Sequence, residues 1–444
     1  MAFCRIKHRT SFLTAILLLG GLSTTPSYAI DSGLNLEAAL TEARLHSPQY
    51  QIAQALEKEA YWHRLDALSG NLPKIAVSGS HLFDVKYQVL DVQFTPGAPT
   101  TTFPLVTPKT ILSVGANWTL FDGFQSLESY HAANLSHEAS ELELSRTSLQ
   151  LEQDVRLRFY QALAAQLLLE VADQNVKTLQ DHQNKTKDLL HEGEATRYDL
   201  LRVEVQLDEA EPEKLQAADN VVLSRSALSQ VMGLQDDARP LIGSLPIPND
   251  AALPKNLKLE AENRADLQAL LRRSDAAEKS HSASLGSWLP RVGVAAEEDF
   301  YNNVDYNLGG APFRSAYSVG MFLSWNIFDG GASIARQKEA TYAHQVAEAS
   351  ANAGLIRAPN DFELWKRRFT YNVSLYRARL HAIESAEESV RLAKIGFDAG
   401  NRTTVDVLDA ELDLFRARAG VVRAQVDAAE AILNLELALG RKLS

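Results

Sequence analysis

Asp406, Asp409 and Asp413 stand three and four residues apart in the stretch FDAGNRTTVDVLDAELDLF (397–415). That spacing sets three carboxylates along one helical face, one step round from the apolar row Val405, Leu408, Leu412 and Phe415. A row of acids beside a packed seam is either plain solvated surface or the lining of an opening, where converging copies collect cations and turn anions away. Little else in the chain suggests reactivity. The histidines are scattered, with no His-Glu-x-x-His motif and no close pair suited to a metal, and neither a glycine-rich phosphate loop nor a nucleophile elbow occurs. These patterns exclude an enzyme and call for no cofactor and no metal.

The elements that must position the acids begin with an export signal. Arg5, Lys7 and Arg9 precede the apolar run FLTAILLLGGL, and Ser27-Tyr28-Ala29 is a small-residue cleavage site, so residues 1–29 read as a signal peptide. Cys4, the only cysteine, lies ahead of that run, which leaves the exported chain without a disulfide, a thiolate ligand or a catalytic thiol. The full chain carries a formal charge of −12, and losing 1–29 removes three bases and no acid, so nucleic acid is not a partner. No later run has the roughly 18 consecutive apolar residues of a spanning helix, so entry into a membrane would have to use strands.

The sequence is a duplication. An offset of 207 lays NWTLFDG (117–123) on SWNIFDG (324–330), Gly193 on Gly400, Asp199 on Asp406, Leu201 on Leu408 and Gly233 on Gly440. Earlier in each half the offset is 217, which lays NLPKIAV (71–77) on WLPRVGV (288–294), so the first half holds ten extra residues in one loop. The repeats are 30–234, with a β-hairpin at 73–121 and a helical hairpin at 124–233, and 259–444, with a β-hairpin at 290–328 and a helical hairpin at 331–440. A connector at 235–258 carries Pro240, Pro246, Pro248 and Pro254 and is expected to be extended.

Within the hairpins, Leu112, Val114, Ala116, Trp118 and Leu120 alternate with Ser113, Gly115, Asn117 and Thr119, and Tyr317 to Ile327 repeat the pattern. Such strands suit a transmembrane barrel or a soluble half-buried sheet, and four of them cannot close a barrel alone. The long helical runs 124–192 and 331–399 would each reach about 100 Å, more than a globular core needs. In the last helix the row Val405, Leu408, Leu412, Phe415, Ala419, Val422, Val426, Ala429, Leu433 keeps coiled-coil spacing, while its first-half counterpart loses it at Asp208 and Pro212. Pro359 is expected to kink or break the long helix of the second half.

This order of elements resembles the TolC family of outer membrane efflux proteins over essentially the whole chain after residue 29. The motif F-x-x-G-x-R-T-x-x-D-V-L-D-A at 397–410 is similar to the family's signature at its periplasmic helical turn, and W-x-[LI]-F-D-G recurs at 118–123 and 325–330. The resemblance implies an α+β membrane protein: a homotrimer whose chains each give four strands to one shared β-barrel, continued by a long α-helical coiled-coil barrel of twelve helices. It implies a passive exit duct in the outer membrane of a Gram-negative cell, with a periplasmic extension gated at its tip, serving tripartite efflux or type I secretion. Its partners would be a periplasmic adaptor (membrane fusion) protein, an inner-membrane pump of the RND, ABC or MFS type, and outer membrane lipid.

By the same resemblance Asp406 and Asp409 of three chains form acidic rings at the tunnel mouth, and Arg402 is a latch donating toward Asp199 on a neighbouring hairpin. Phe397 stands where the family has a tyrosine whose hydroxyl would bond Asp199. At the first-half equivalents stand Asp199, Arg202 and Gln206, so the second hairpin is expected to line the pore. Adaptor docking falls to the tips, at Gly193, Thr196, Gly400 and Thr403, with the glycines supplying positive φ. Trp118 and Trp325 are expected as membrane-interface anchors, with core packing as the alternative. The rival reading is a periplasmic adaptor or scaffolding coiled coil, against which stand two complete repeats instead of one hairpin. The cargo is not legible, since three methionines do not point to soft-metal transport.

Overall fold

A computed structural model describes residues 33–83, 88–105, 108–254, 257–302 and 313–443. The signal-peptide expectation for 1–29 lies outside these residues, as does the second connecting loop at 303–312. Each repeat runs helix, strand, strand, long helix, return helix. The first comprises α1 (Leu36–His46), α2 (Pro48–Ser69), β1 (Lys74–His81), β2 (Gln88–Val92), β3 (Thr101–Leu105), β4 (Thr110–Phe121), α3 (Gln125–Glu192) and α4 (Arg197–Met232). The second comprises α5 (Ala265–Leu285), β5 (Arg291–Asn302), β6 (Arg314–Ser324), α6 (Ala332–Asp398) and α7 (Thr404–Leu439).

The main sheet has the antiparallel order β1-β4-β5-β6, with β1 and β6 as its edges. Lys74 faces Asn117 and Arg291 faces Ser324, so both hairpins keep the register that the two sequence offsets require. One side of the sheet is bare and apolar but for Glu298, which stands between Val114 and Tyr317: Ile75, Val77, Tyr317, Val319, Met321 and Leu323 are two-thirds or more exposed. The extra residues of the first half form something the loop reading did not contain, a separate two-stranded ribbon of β2 and β3. The second hairpin also falls short of its expected span: β6 stops at Ser324, leaving Trp325 to Phe328 past its end, because an edge strand has a partner on one side only.

The turn from strand to long helix explains the F-D-G motif. Gly123 and Phe124 take positive φ (73° and 65°), as do their repeat equivalents Gly330 and Gly331 (70° and 91°). Asp122 and Asp329 then accept from the backbone N–H of Ser126 (3.0 Å) and Ser333 (2.9 Å), satisfying donors in the first turns of α3 and α6.

The long helices pack into a thin wall ordered α4-α3-α7-α6. Helix α7 is buried on two stripes. Leu408 is 1% exposed and joins Val176, Leu179, Val203 and Leu207 of the first hairpin, worth about 2 kcal/mol for its side chain. Val407 and Ala410, on the next stripe, pack against Val390 and Ala393 of α6. Helix α4 has fewer buried residues and leaves Leu215 and Val222 exposed, matching the lapse of its apolar spacing. Among the described residues the connector holds no strand or α-helix, only a 3-10 turn at Asp250–Ala252, and it lies on the helices, with Leu34 bridging Leu241, Leu245 packed near Phe159, and Leu257 beside Phe362 and Leu435.

Pro359 does not break its helix: α6 runs unbroken across it, as α4 runs across Pro212. A proline removes one N–H from the ladder, and here the neighbouring turns are held independently by the buried Ala358 and Phe362. Gly233 and Gly440 end α4 and α7 at φ 80° and 73°, and a Cβ at Gly233 would stand 2.2 Å from the His46 carbonyl oxygen. Gly193 has a similar φ of 82° with nothing within 4 Å. Gly193→Ala is therefore expected to cost only the left-handed penalty of about 1–2 kcal/mol, and Gly233→Ala clearly more, checked by thermal melting of the two variants side by side.

Candidate functional site: the hairpin tips

Both helical hairpins end in the same small device. Gly193 at φ 82° and Gly400 at φ 71° reverse the chain, and the return helices open on Thr196 and Thr403. Each threonine makes a reciprocal capping box with the aspartate three residues on. Asp199 Oδ2 accepts from the Thr196 N–H at 2.9 Å and its hydroxyl at 2.6 Å, while Thr196 Oγ1 accepts from the Asp199 N–H at 3.2 Å. Asp406 and Thr403 repeat the arrangement at 2.8, 2.8 and 3.3 Å. The signal was present in the sequence as T-x-x-D at 196–199 and 403–406. Asp199 and Asp406 thus hold their own helices open-ended toward the tip, a role not assigned from the motif alone.

The Thr403 backbone N–H, its hydroxyl and the nearby Arg402 together hold the Asp406 carboxyl below the usual carboxylate range. Asp409 sits one turn further on the exposed face of α7, away from both buried stripes. Arg402 folds back over Gly396 and places Nη1 3.8 Å from Asp406 Oδ1, a half-exposed pair that contributes little to stability. Phe397 packs on the cluster of Val390, Ala393, Val407 and Ala410, and Lys185 of α3 sits 5.2 Å over its ring while reaching Asp398 Oδ1 at 3.1 Å. Phe397 is thus tied to the first hairpin by a cation–π contact.

Trp118 and Trp325 occupy equivalent places where the sheet meets the helices. Each donates its indole N–H at 3.1 Å to a backbone oxygen, Trp118 to Asn71 and Trp325 to Trp288, residues that the 217 offset pairs. Their rings stay about half exposed, the disposition of an amphipathic ring with one end satisfied.

The sequence reading missed the main ionic tie between the hairpins. Glu411, only 7% exposed, receives His182 Nε2 of α3 and Lys394 Nζ of α6, both at 2.8 Å. Lys394 brings a fixed positive charge to this carboxylate, and His182 brings a ring nitrogen from the first hairpin. Burial opposes ionisation of Glu411, and His182 and Lys394 outweigh it, leaving the carboxyl below its ordinary range. No local motif marks it, because its partners come from two other helices.

A depressed carboxyl adds stability above its unfolded value of about 4.3, and that stability disappears as pH falls through the lower folded value. Glu411→Gln is therefore expected to lower stability at pH 7 by about 1–2 kcal/mol, with the gap to the wild type closing on acidification below pH 4, read from melting curves at successive pH.

Comparison with known proteins places these tips in context. The family model for outer membrane efflux proteins matches residues 39–234 and 256–441. The chain is 24% identical over 291 residues to the outer membrane protein TolC of Vibrio cholerae, covering 64% of this chain and 66% of that protein. It is 24% identical over 305 residues to the proteases secretion protein PrtF of Dickeya chrysanthemi, covering 65% and 64%. In both cases the match spans slightly less than two thirds of the relative's length. The fold superposes on the crystal structure of the outer membrane protein VceC from Vibrio cholerae with a TM-score of 0.74 at 19% identity, over 92% of this chain and 97% of that one. With both repeats matched by one family model, the chain belongs to the outer membrane efflux protein family.

Proposed function

We propose that three copies of this chain close into a passive exit duct of the outer membrane, with a barrel of twelve strands in lipid and a tunnel of twelve helices in the periplasm. One observation carries the reading: a four-stranded sheet that is largely apolar on its outer side and open at both edges. In lipid such edges leave backbone N–H and C=O groups unsatisfied, so the sheet must be closed by other copies.

The duplication supplies the closing geometry. Inside the chain the repeats join at β4 and β5, where Asn117 faces Ala295 and Trp118 faces Val294. The same join made between the free edges sets Ser324 of β6 against Ser78 of the next copy's β1, and Trp325 against Val77. That partner would extend β6 through Trp325, as β4 extends through Trp118. The helices repeat the logic: α5 packs on both α3 and α6, while its counterpart α2 packs on α3 alone, leaving a place for the α6 of a neighbour.

In this assembly Asp406 and Asp409 face the tunnel mouth as acidic rings, Arg402 latches toward Asp199 of the adjacent hairpin, and Phe397 steadies the second hairpin against the first. The open turns at Gly193 and Gly400, with Thr196 and Thr403, receive a periplasmic adaptor that links the duct to an inner-membrane pump. Trp118 and Trp325 mark the membrane boundary. A relative named for protease secretion and a family named for efflux are consistent with one duct serving either pump.

Two experiments test the reading. Ser78→Cys/Ser324→Cys, introduced into a mature chain that has no other cysteine, is expected to give disulfide-linked trimers under oxidation, and Ser80→Cys/Ser324→Cys is not; linkage through position 80 instead refutes the register. In planar bilayers the wild type is expected to give small cation-selective channels, and Asp406→Asn/Asp409→Asn to lose that selectivity. Asparagine keeps an acceptor for the Thr403 N–H, so the change in current reports charge, not a melted cap. A detergent-free monomer without channels refutes the duct.

A further inference from the structure

Helix α2 is held to the rest of the chain in an unusual way. None of its residues is buried, and Ile52, Leu56 and Trp62 stand more than half exposed. Tyr50 at its start packs on the cluster of Leu151, Val155 and Phe159, and further along polar contacts tie it to α3: Arg64 Nη1 donates to Asn134 Oδ1 at 3.4 Å, and Glu57 meets His137. His137 is 6% exposed, with Tyr61 edge-on to its ring at 5.6 Å.

The buried imidazole serves two carboxylates at once. His137 Nε2 lies 3.2 Å from Glu57 Oε1 and 3.8 Å from Glu141 Oε1, and one ligand atom from each of the three falls within 4.8 Å of the others. Among the described residues, nearby acids have basic partners, Glu128 with Lys279, Glu138 with Arg272 and Glu143 with Arg273. Glu57 and Glu141 have no lysine or arginine within ion-pair distance among those residues, only the shared imidazole. Two carboxylates converging without a fixed cation repel each other, and a divalent ion relieves that repulsion.

We propose that Glu57, His137 and Glu141 form a zinc-type divalent-cation site that staples α2 to α3. One imidazole nitrogen and two carboxylate oxygens are a donor set for borderline first-row ions such as Zn²⁺. Four-coordinate zinc at about 2.1 Å sets its ligand atoms ~3.4 Å apart, so the observed separations close on the ion with small rotamer adjustments. His137 and Glu141, one helical turn apart, provide one side of the site, and Glu57 the other from α2. The exposed side of Glu141 leaves the fourth position to water. The site is not cargo-binding: it lies between two helices of one chain and binds whether or not the duct reading holds. It escaped the sequence because its third ligand comes 80 residues before His137.

The test uses untagged, metal-stripped mature protein in detergent, titrated with Zn²⁺ by calorimetry and counted by elemental analysis. One zinc per chain and a raised melting temperature are expected, both absent in His137→Ala and His137→Gln. In Glu57→Gln the dissociation constant should rise by about tenfold or more. X-ray absorption on the loaded wild type, which needs no variant to fold, should show one imidazole among oxygen ligands. Absence of saturable binding, binding unchanged by loss of His137, or a zinc shell with several imidazoles would each overturn the site and leave an imidazole beside two acids.

Discussion

A sheet that is largely apolar outside and open at both edges cannot stand alone in lipid, and the rest of the molecule is arranged around that constraint. Each free backbone group on β1 and β6 must find a partner, because the bilayer core offers none. Four twisted strands are too few to curl onto themselves. Every feature that aligns copies therefore matters: the largely apolar outer face, the constant register of the two hairpins, and the equivalent capped turns at Asp122 and Asp329 through which the long helices begin.

The duplication makes local chemistry identical while tertiary surroundings diverge. Paired positions keep the same bond: Trp118 and Trp325 to backbone oxygens, Thr196 and Thr403 in capping boxes, Gly233 and Gly440 in left-handed turns. Local sequence suffices for these, since each is closed within a few residues or across one strand pair. The helices then part company. α7 is wedged between α3 and α6 and needs two apolar stripes, whereas α4 lies at the outer end of the row in this chain and keeps one, so Pro212 and the polar residues around it are tolerated there.

At the tip, the bonds fall into two sets. Those within a hairpin, the capping boxes and the Arg402 pair, move with the hairpin as a unit. Those between hairpins, Glu411 with His182, Lys185 with Asp398 and Phe397, and Leu408 in the core of the first hairpin, are what ties the second hairpin to the first. A buried carboxylate shared by three helices couples them more tightly than the exposed Arg402 pair does, because little water reaches it to screen the charges.

The two repeats, the strands of the main sheet, the long helices, their glycine turns and the acidic face of α7 are legible in the sequence, because each is a periodicity or a short-range spacing of side chains. The helix does not break at Pro359, where Ala358 and Phe362 are buried on either side, and β3 lies in a segment read as loop because of its prolines and glycine. Which charges meet is set by tertiary packing. Glu411 joins His182 and Lys394, and Glu57 joins His137, through contacts between helices whose relative rotation no local pattern encodes; that rotation is set by how the apolar stripes of all the helices interlock at once.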